Sequence, residues 1–222
     1  GAHGSISPAG TVSVLHGRNQ AFTITADPGY FIWSITADGE LTGSYGQSNT
    51  NFVYTLEDVK TNQTIAVVFE ANSMATHASD GYWTPGANTL ECEFSYPEDR
   101  TLLSLNLQWL SLPDGWTVDT NSASGDGAPE AQTNAIAFGG DLSGNPIRFE
   151  YDLLTPSDET GIKELRAVME YHLDGMINPS TVTVTADPLQ MKRRLSLPSI
   201  TITDKTYDQS TLATVSSYGA LF

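Results

Sequence analysis

The chain has 222 residues, 39% of them apolar and 16% charged, which is the balance of a folded globular protein and not of a disordered one. Its formal charge is −16, with only 10 Lys and Arg against 26 Asp and Glu, so neither nucleic acid nor an anionic membrane surface is an expected partner. The length suits about two domains of roughly 100 residues each.

Residues 1–5, Gly1-Ala2-His3-Gly4-Ser5, read as a cloning remnant, and the chain as a piece of a longer secreted protein. No apolar stretch approaches the roughly 18 residues needed to span a bilayer, so direct membrane insertion is not expected. From residue 6 to residue 71, short alternating runs follow one another at 11–15, 21–26, 30–35, 51–55 and 64–69. Turn chemistry separates them at His16-Gly17-Arg18-Asn19, Asp27-Pro28-Gly29 and Asp38-Gly39, and the last of these is a strong hairpin signal. A period of two with turns about every ten residues predicts an antiparallel β module over 6–71.

Three features carry a resemblance for this stretch: Tyr30 after Asp27-Pro28-Gly29, the Asp38-Gly39 turn, and the closing Tyr54-Thr55-Leu56 with Asn62, Thr64-Ile65, Val67 and Phe69. Together they resemble the divergent B-repeat family of bacterial surface proteins, related in pattern to the internalin B-repeat. That resemblance implies a small β-rich module of an extracellular stalk, with no catalytic residues.

Residues 72–80 are small, polar and aperiodic, which predicts a linker, flexible unless the flanking domains bury an apolar interface. Met74 is the one residue there that could plug such an interface. Residues 81–190 then give strand-like runs at 89–96, 103–110, 116–120, 134–138, 147–154, 164–172 and 180–186. About seven strands with Pro and Gly turns between them predict an immunoglobulin-like or cohesin-like antiparallel β-sandwich. Residues 164–171 have helical propensity, yet Leu165, Ala167, Met169 and Tyr171 alternate with polar partners, so a strand is expected. The segments Leu112-Pro113-Asp114-Gly115-Trp116, Asn145-Pro146-Ile147-Arg148-Phe149 and Lys163-Glu164-Leu165-Arg166-Ala167 resemble β-sandwich modules that precede cohesin, dockerin or adhesin repeats in bacterial exoproteins. Residues 73–190 hold 18 acidic and 4 basic side chains, most of the acidity of the chain.

Residues 191–222 open with the basic run Lys192-Arg193-Arg194 and read as a basic linker leading into a partial module. Lys205-Thr206-Tyr207-Asp208 followed by Thr211, Ala213 and Thr214 resembles the start of a YDG-type filamentous-adhesin repeat, with Gln209 where the family has glycine. Self-association through this tail, by strand addition between copies, is an expectation.

The sequence offers little site chemistry. There is no Gly-x-Ser-x-Gly elbow, no Cys–His arrangement and no phosphate loop, and the His residues have no metal-ligand spacing. Cys92 alternates with Leu90 and Phe94 and is expected as a buried, inert thiol. Glu150 and Asp152 share one strand face, and with Asp158 and Glu159 they could be assembled into glycosidase-like carboxylates only on paper, since nothing predicts a cleft. Two binding features remain. Tyr82, Trp83 and Trp116 are candidates for a glycan-stacking platform, although a Trp on a sandwich strand is more often core. Asp126, Glu130 and Asp141 lie in turns and are candidate ligands for Ca2+. The expected function is a non-catalytic, secreted or cell-surface adhesin or stalk fragment, with glycan or a cell-surface protein as partner. A carbohydrate-binding or cohesin-like module in 81–189 is the alternative.

Overall fold

The computed structural model of the protein describes residues 2–185 and 187–195. The expectations for the YDG-like segment at 200–222, and for pairing through it, lie outside the described residues.

The first module contains β1 (Gly4–Ser7), β2 (Arg18–Ala26), β3 (Tyr30–Ala37), β4 (Glu40–Ser44), β5 (Asn51–Val59) and β6 (Ile65–Ala71). They form two antiparallel three-stranded sheets, β1-β2-β5 and β4-β3-β6. Asp38 and Gly39 both have positive φ, 52° and 84°, as the tight β3–β4 turn requires. Fully buried Ile24, Ile32 and Ile35 are the centre of this small core, with Phe52, Tyr54, Val67 and Phe69 packed around them.

The segment read as a cloning remnant takes part in the fold: Gly4 pairs with Ala26, and a Cβ at Gly4 would come within 2.5 Å of the Phe69 ring. His3 stacks on Tyr30 with ring centroids 4.0 Å apart. Conversely, residues 11–15 have the pattern of a strand but form no ladder; alternation specifies a face, and a strand also needs a partner edge.

The second module begins earlier than predicted. Its strands are β7 (Met74–Ala78), β8 (Tyr82–Trp83), β9 (Gly86–Ser95), β10 (Leu102–Ser111), β11 (Thr117–Val118), β12 (Ser124–Gly125), β13 (Pro129–Ala131), β14 (Ala135–Phe138), β15 (Ile147–Thr155), β16 (Ile162–Leu173), β17 (Ser180–Thr185) and β18 (Leu189–Arg193). The predicted linker over 72–80 is therefore mostly strand: β7 pairs with β9 from Met74 opposite Ser95 to Ala78 opposite Glu91. The predicted boundary at 190/191 cuts through β18, and Lys192 and Arg193 are strand residues, not linker.

This module is a β-sandwich. One layer is β11-β15-β9-β7 and the other is β16-β10-β14-β13. Strand β17 joins them, because Ser180–Val182 and Thr183 pair antiparallel with β16 while Val184 and Thr185 pair parallel with β7. A second parallel pairing, β18 with β8, closes the far end. Alternation builds the core between the layers. Leu90, Cys92 and Phe94 of β9 stand opposite Tyr151, Phe149 and Ile147 of β15, and all six point inward. Leu165, Ala167, Met169, Tyr171 and Leu173 do the same from β16, which is a strand as its alternation predicts. Each large apolar side chain so buried stabilises the fold by about 1.5–3 kcal/mol.

The two modules share part of one core. Phe31 and Trp33 of β3 belong to the sandwich cluster, whereas Ile32 and Ile35 of the same strand face their own module. A bulge between Ile32 and Ser34 in the pairing with β6 accompanies the outward turn of Trp33. The Arg100 guanidinium lies 4.1 Å from the Trp33 ring centroid and pairs with the buried Glu70 carboxylate. Gly175 also fits against Trp33, where a Cβ would sit 3.2 Å from Cζ2 and 3.7 Å from Arg100 Nη1. Gln47 completes the joint: its amide donates to the Ser73 carbonyl (2.8 Å) and accepts from Ser73 N–H (2.7 Å) and the Tyr171 hydroxyl (2.9 Å). The joint is thus a packed, hydrogen-bonded interface, the case set apart from a flexible linker. Met74 is 58% exposed and is not its plug.

Candidate functional site

The aromatic candidates sit at the end of the sandwich away from the first module, where the short strand β8 brings Tyr82 and Trp83 beside β18. Successive residues of a strand face opposite ways, and the two rings separate accordingly. Trp83 is fully buried and meets the buried Trp116 edge to face, with centroids 5.5 Å apart. Neither ring can stack on a sugar; the expected platform is instead a piece of core. Tyr82 alone is exposed, and Arg194 lies over its ring at 5.1 Å.

Tyr82 borders a cleft of about 620 Å³ whose polar lining includes Asp80, Thr84, Asn88, Glu91 and Arg194. Most of these groups already have partners. Asp80 accepts from Tyr82 N–H at 2.8 Å and pairs with Arg194. The Asn88 amide donates to the carbonyls of Thr84 and Gly86 and to the Thr155 hydroxyl. Such bonds shape the β8–β9 turn and leave few groups aimed at a ligand.

Among the described residues no three His, Cys, Asp or Glu side chains converge as a metal cluster. Asp126 accepts from Arg148 N–H at 2.9 Å, which ties the β12 turn to β15. Asp141 accepts from the Ser143 N–H and hydroxyl, both at 2.9 Å, and these bonds hold its carboxyl below its ordinary pKa. Glu130 is exposed on β13, in register with Ala137. The three proposed Ca2+ ligands are thus turn-forming or surface groups, not a coordination shell.

The carboxylates of β15 also face outward. Glu150 accepts from the Ser124 hydroxyl at 3.0 Å, and Asp152 from the Thr89 hydroxyl at 2.6 Å. Asp158 is exposed, and Glu159 pairs with Lys163 one helical-spacing step along the chain. Phe149 and Tyr151 occupy the inner face between them, as the alternation in sequence predicted.

One polar group was missed by the sequence reading, because it lay in the supposed linker. His77 of β7 is buried, with its Nε2 3.0 Å from the Tyr151 hydroxyl; that hydroxyl also accepts from Trp109 Nε1 at 3.1 Å. The indole can only donate, so the chain is satisfied when Tyr151 donates its own proton to a neutral imidazole. The network crosses the sandwich, from β7 and β15 in one layer to β10 in the other. Cys92 stands opposite His77 in the β7–β9 register, and burial pushes its thiol well above the ordinary value, so it is the inert core residue expected.

Burial lowers the His77 pKa from 6.5 to about 4. Between those values the unfolded chain binds the proton that the folded one refuses. The contribution of neutral His77 is therefore complete above pH 6.5 and lost as pH falls towards 4. The shift corresponds to about 3 kcal/mol. Denaturant midpoints at pH 7 and pH 4.5 should differ more for the wild type than for His77→Gln; equal pH dependence would remove His77 from the account.

Comparison with known proteins adds little about function. No family model matches the chain, and no curated protein does. Among solved structures it is similar to a variant of the major pilin subunit of Bacillus cereus, at 9% identity and a TM-score of 0.46, over 79% of this chain and 56% of that one. A protein of Corynebacterium diphtheriae described as membrane anchored matches at 8% identity and a TM-score of 0.39, over 83% and 57%. A β-glycosidase of Bacteroides vulgatus matches at 11% identity and a TM-score of 0.26, over 82% and 24%. The chain spans a little over half the length of the first two. Similarity of this size is a likeness of β architecture and says nothing of activity.

Proposed function

We propose that the chain is a non-catalytic module of an extracellular cell-surface protein of the adhesin or stalk type, providing spacing and contact surface. The observation that carries this reading is the arrangement of the two modules in series with a packed joint. The chain passes from β6 through Ser73 into the sandwich at the Trp33–Arg100 end. The last described strand lies at the opposite end, where Lys192 of β18 pairs with Ile162 at the start of β16. Strand β16, with 12 residues, separates these ends by about 40 Å. A first and a last described strand at opposite poles suit a spacer in a string of β modules.

Two further features support it. Most of the side chains that could have supplied chemistry shape turns or lie in the core, and Tyr82, Glu130 and Asp158 are exposed. The Thr-rich, Lys-poor, strongly acidic composition suits an exposed β surface outside the cell. The resemblances to a divergent B-repeat and to the opening of a YDG-type repeat belong to the same reading, with glycan or a surface protein as the partner.

A distance measurement tests the joint. Spin labels at exposed positions 61 and 157, in a Cys92→Ala background, should give a single narrow separation of about 60 Å, from the lengths of β3 and β16. A broad distribution reaching to short distances would mean a hinge, and the stiff-spacer reading would fall.

A further inference from the structure

The outer end of the first module carries an arm, a segment that has no ladder partner among the described residues. Residues 9–15 run between β1 and β2 with Val12 and Val14 half-buried and Thr11, Ser13 and Leu15 exposed, the alternation of a strand. Among the described residues the backbone N–H and C=O groups of residues 11–14 have no hydrogen-bond partner. Beside the arm lies a groove of about 830 Å³. Val12, Val14, Phe22, Leu56 and Ile65 supply its apolar lining, Thr61-Asn62-Gln63-Thr64 an uncharged polar side, and His16 and Lys60 border it as well. An apolar floor beside a segment whose burial alternates as a strand's does, and whose backbone is unpaired among the described residues, is an acceptor for an added strand: the backbone bonds supply affinity, and alternate side chains enter the groove.

We infer that this groove accepts residues 199–203 of a second copy of the chain, Ser199-Ile200-Thr201-Ile202-Thr203. Their sequence matches the site. Ile200 and Ile202 share one face of an extended strand, Thr201 and Thr203 share the other, and none carries a charge that would have to be desolvated. The donor must be another molecule. Leu195 lies at the far end of the sandwich, and residue 199, four residues on, reaches at most about 14 Å from it. Its own groove lies beyond the whole length of β16, about 40 Å, and beyond the joint as well. Contact between the far pole of one copy and the outer pole of the next has no internal closure, so it generates strings. Each copy carries a charge of −16, so the strings grow with added salt, which screens the repulsion between copies. The inference stands apart from the spacer reading, since it needs only the arm, the groove and the tail.

Sedimentation of the full chain over a concentration series, at low and at moderate salt, is the test. Wild type should form species beyond the dimer, more of them at moderate salt. Ile200→Asp with Ile202→Asp removes the donor; Ser13→Pro, at an exposed position, removes an N–H from the acceptor. Each variant alone should lose all species above monomer while keeping the wild-type melting transition. Mixed, the two variants should recover a dimer and nothing larger, because one retains a working tail and the other a working arm. A wild type that stays monomeric throughout overturns the inference, and so does assembly that survives either variant.

Discussion

Trp83→Ala is expected to destabilise the protein by about 3–5 kcal/mol and to lower its melting temperature by roughly 10 °C. The side chain is fully buried, closes the far end of the sandwich between β18 and Trp116, and has Arg193 over its ring at 5.7 Å. Its removal leaves a cavity that the paired strands β8 and β18 cannot collapse to fill. Calorimetry on Trp83→Ala and Tyr82→Ala side by side decides between core and platform. Tyr82, 47% exposed, should cost less than about 1 kcal/mol. If instead Trp83→Ala keeps the wild-type transition and abolishes binding to a glycan array, the aromatic pair is a recognition surface and the packing described for it is wrong.

Arg100→Ala should cost about 3 kcal/mol, and the loss should fall on the joint. It removes the partner of Glu70, a carboxylate that is only 8% exposed, and at the same time the cation stacked on Trp33. A buried charge left without its partner is the costly outcome, so Arg100→Ala combined with Glu70→Gln should recover part of the loss. Hydrogen exchange locates the effect: β3 and β6 should exchange faster while β9 and β15 keep their protection. Uniform loosening of both modules would mean that they fold as a single cooperative unit. Unchanged exchange throughout would mean that the ion pair adds nothing to the joint.

The joint was legible in the sequence, though in a form easily misread. Residues 30–35 place Phe31, Ile32 and Trp33 in succession, whereas a strand with one wet face alternates. An unbroken apolar run in a small antiparallel module means that both faces are covered. Here one is covered by the module's own core, with Ile24 of β2, and the other by the sandwich. The run therefore announced an interface, while the small polar residues of 72–80 suggested a linker. Composition was the weaker signal. Ala75 and His77 are small or polar and still fit the inner face of β7, because that layer packs against large neighbours such as Phe94 and Tyr151.

By itself the sequence determined the all-β class, the strands carried by clear alternation and the separation of inner from outer residues along them. Each of these follows from the two-residue period of a strand and from where Gly, Pro and Asp-Gly interrupt it. Leu165 to Tyr171 of β16, the buried Cys92 and the outward Glu150 and Asp152 are such cases. Only the tertiary structure decided which edges meet. It made Gly4 a strand residue and left residues 11–15 without a ladder; it put Trp83 and Trp116 in the core and spread Asp126, Glu130 and Asp141 over separate duties. The physical reason is that side-chain periodicity is local, whereas a backbone partner, a covering layer or a shared ligand is supplied by residues distant in the chain, and alternation carries no record of which ones they are.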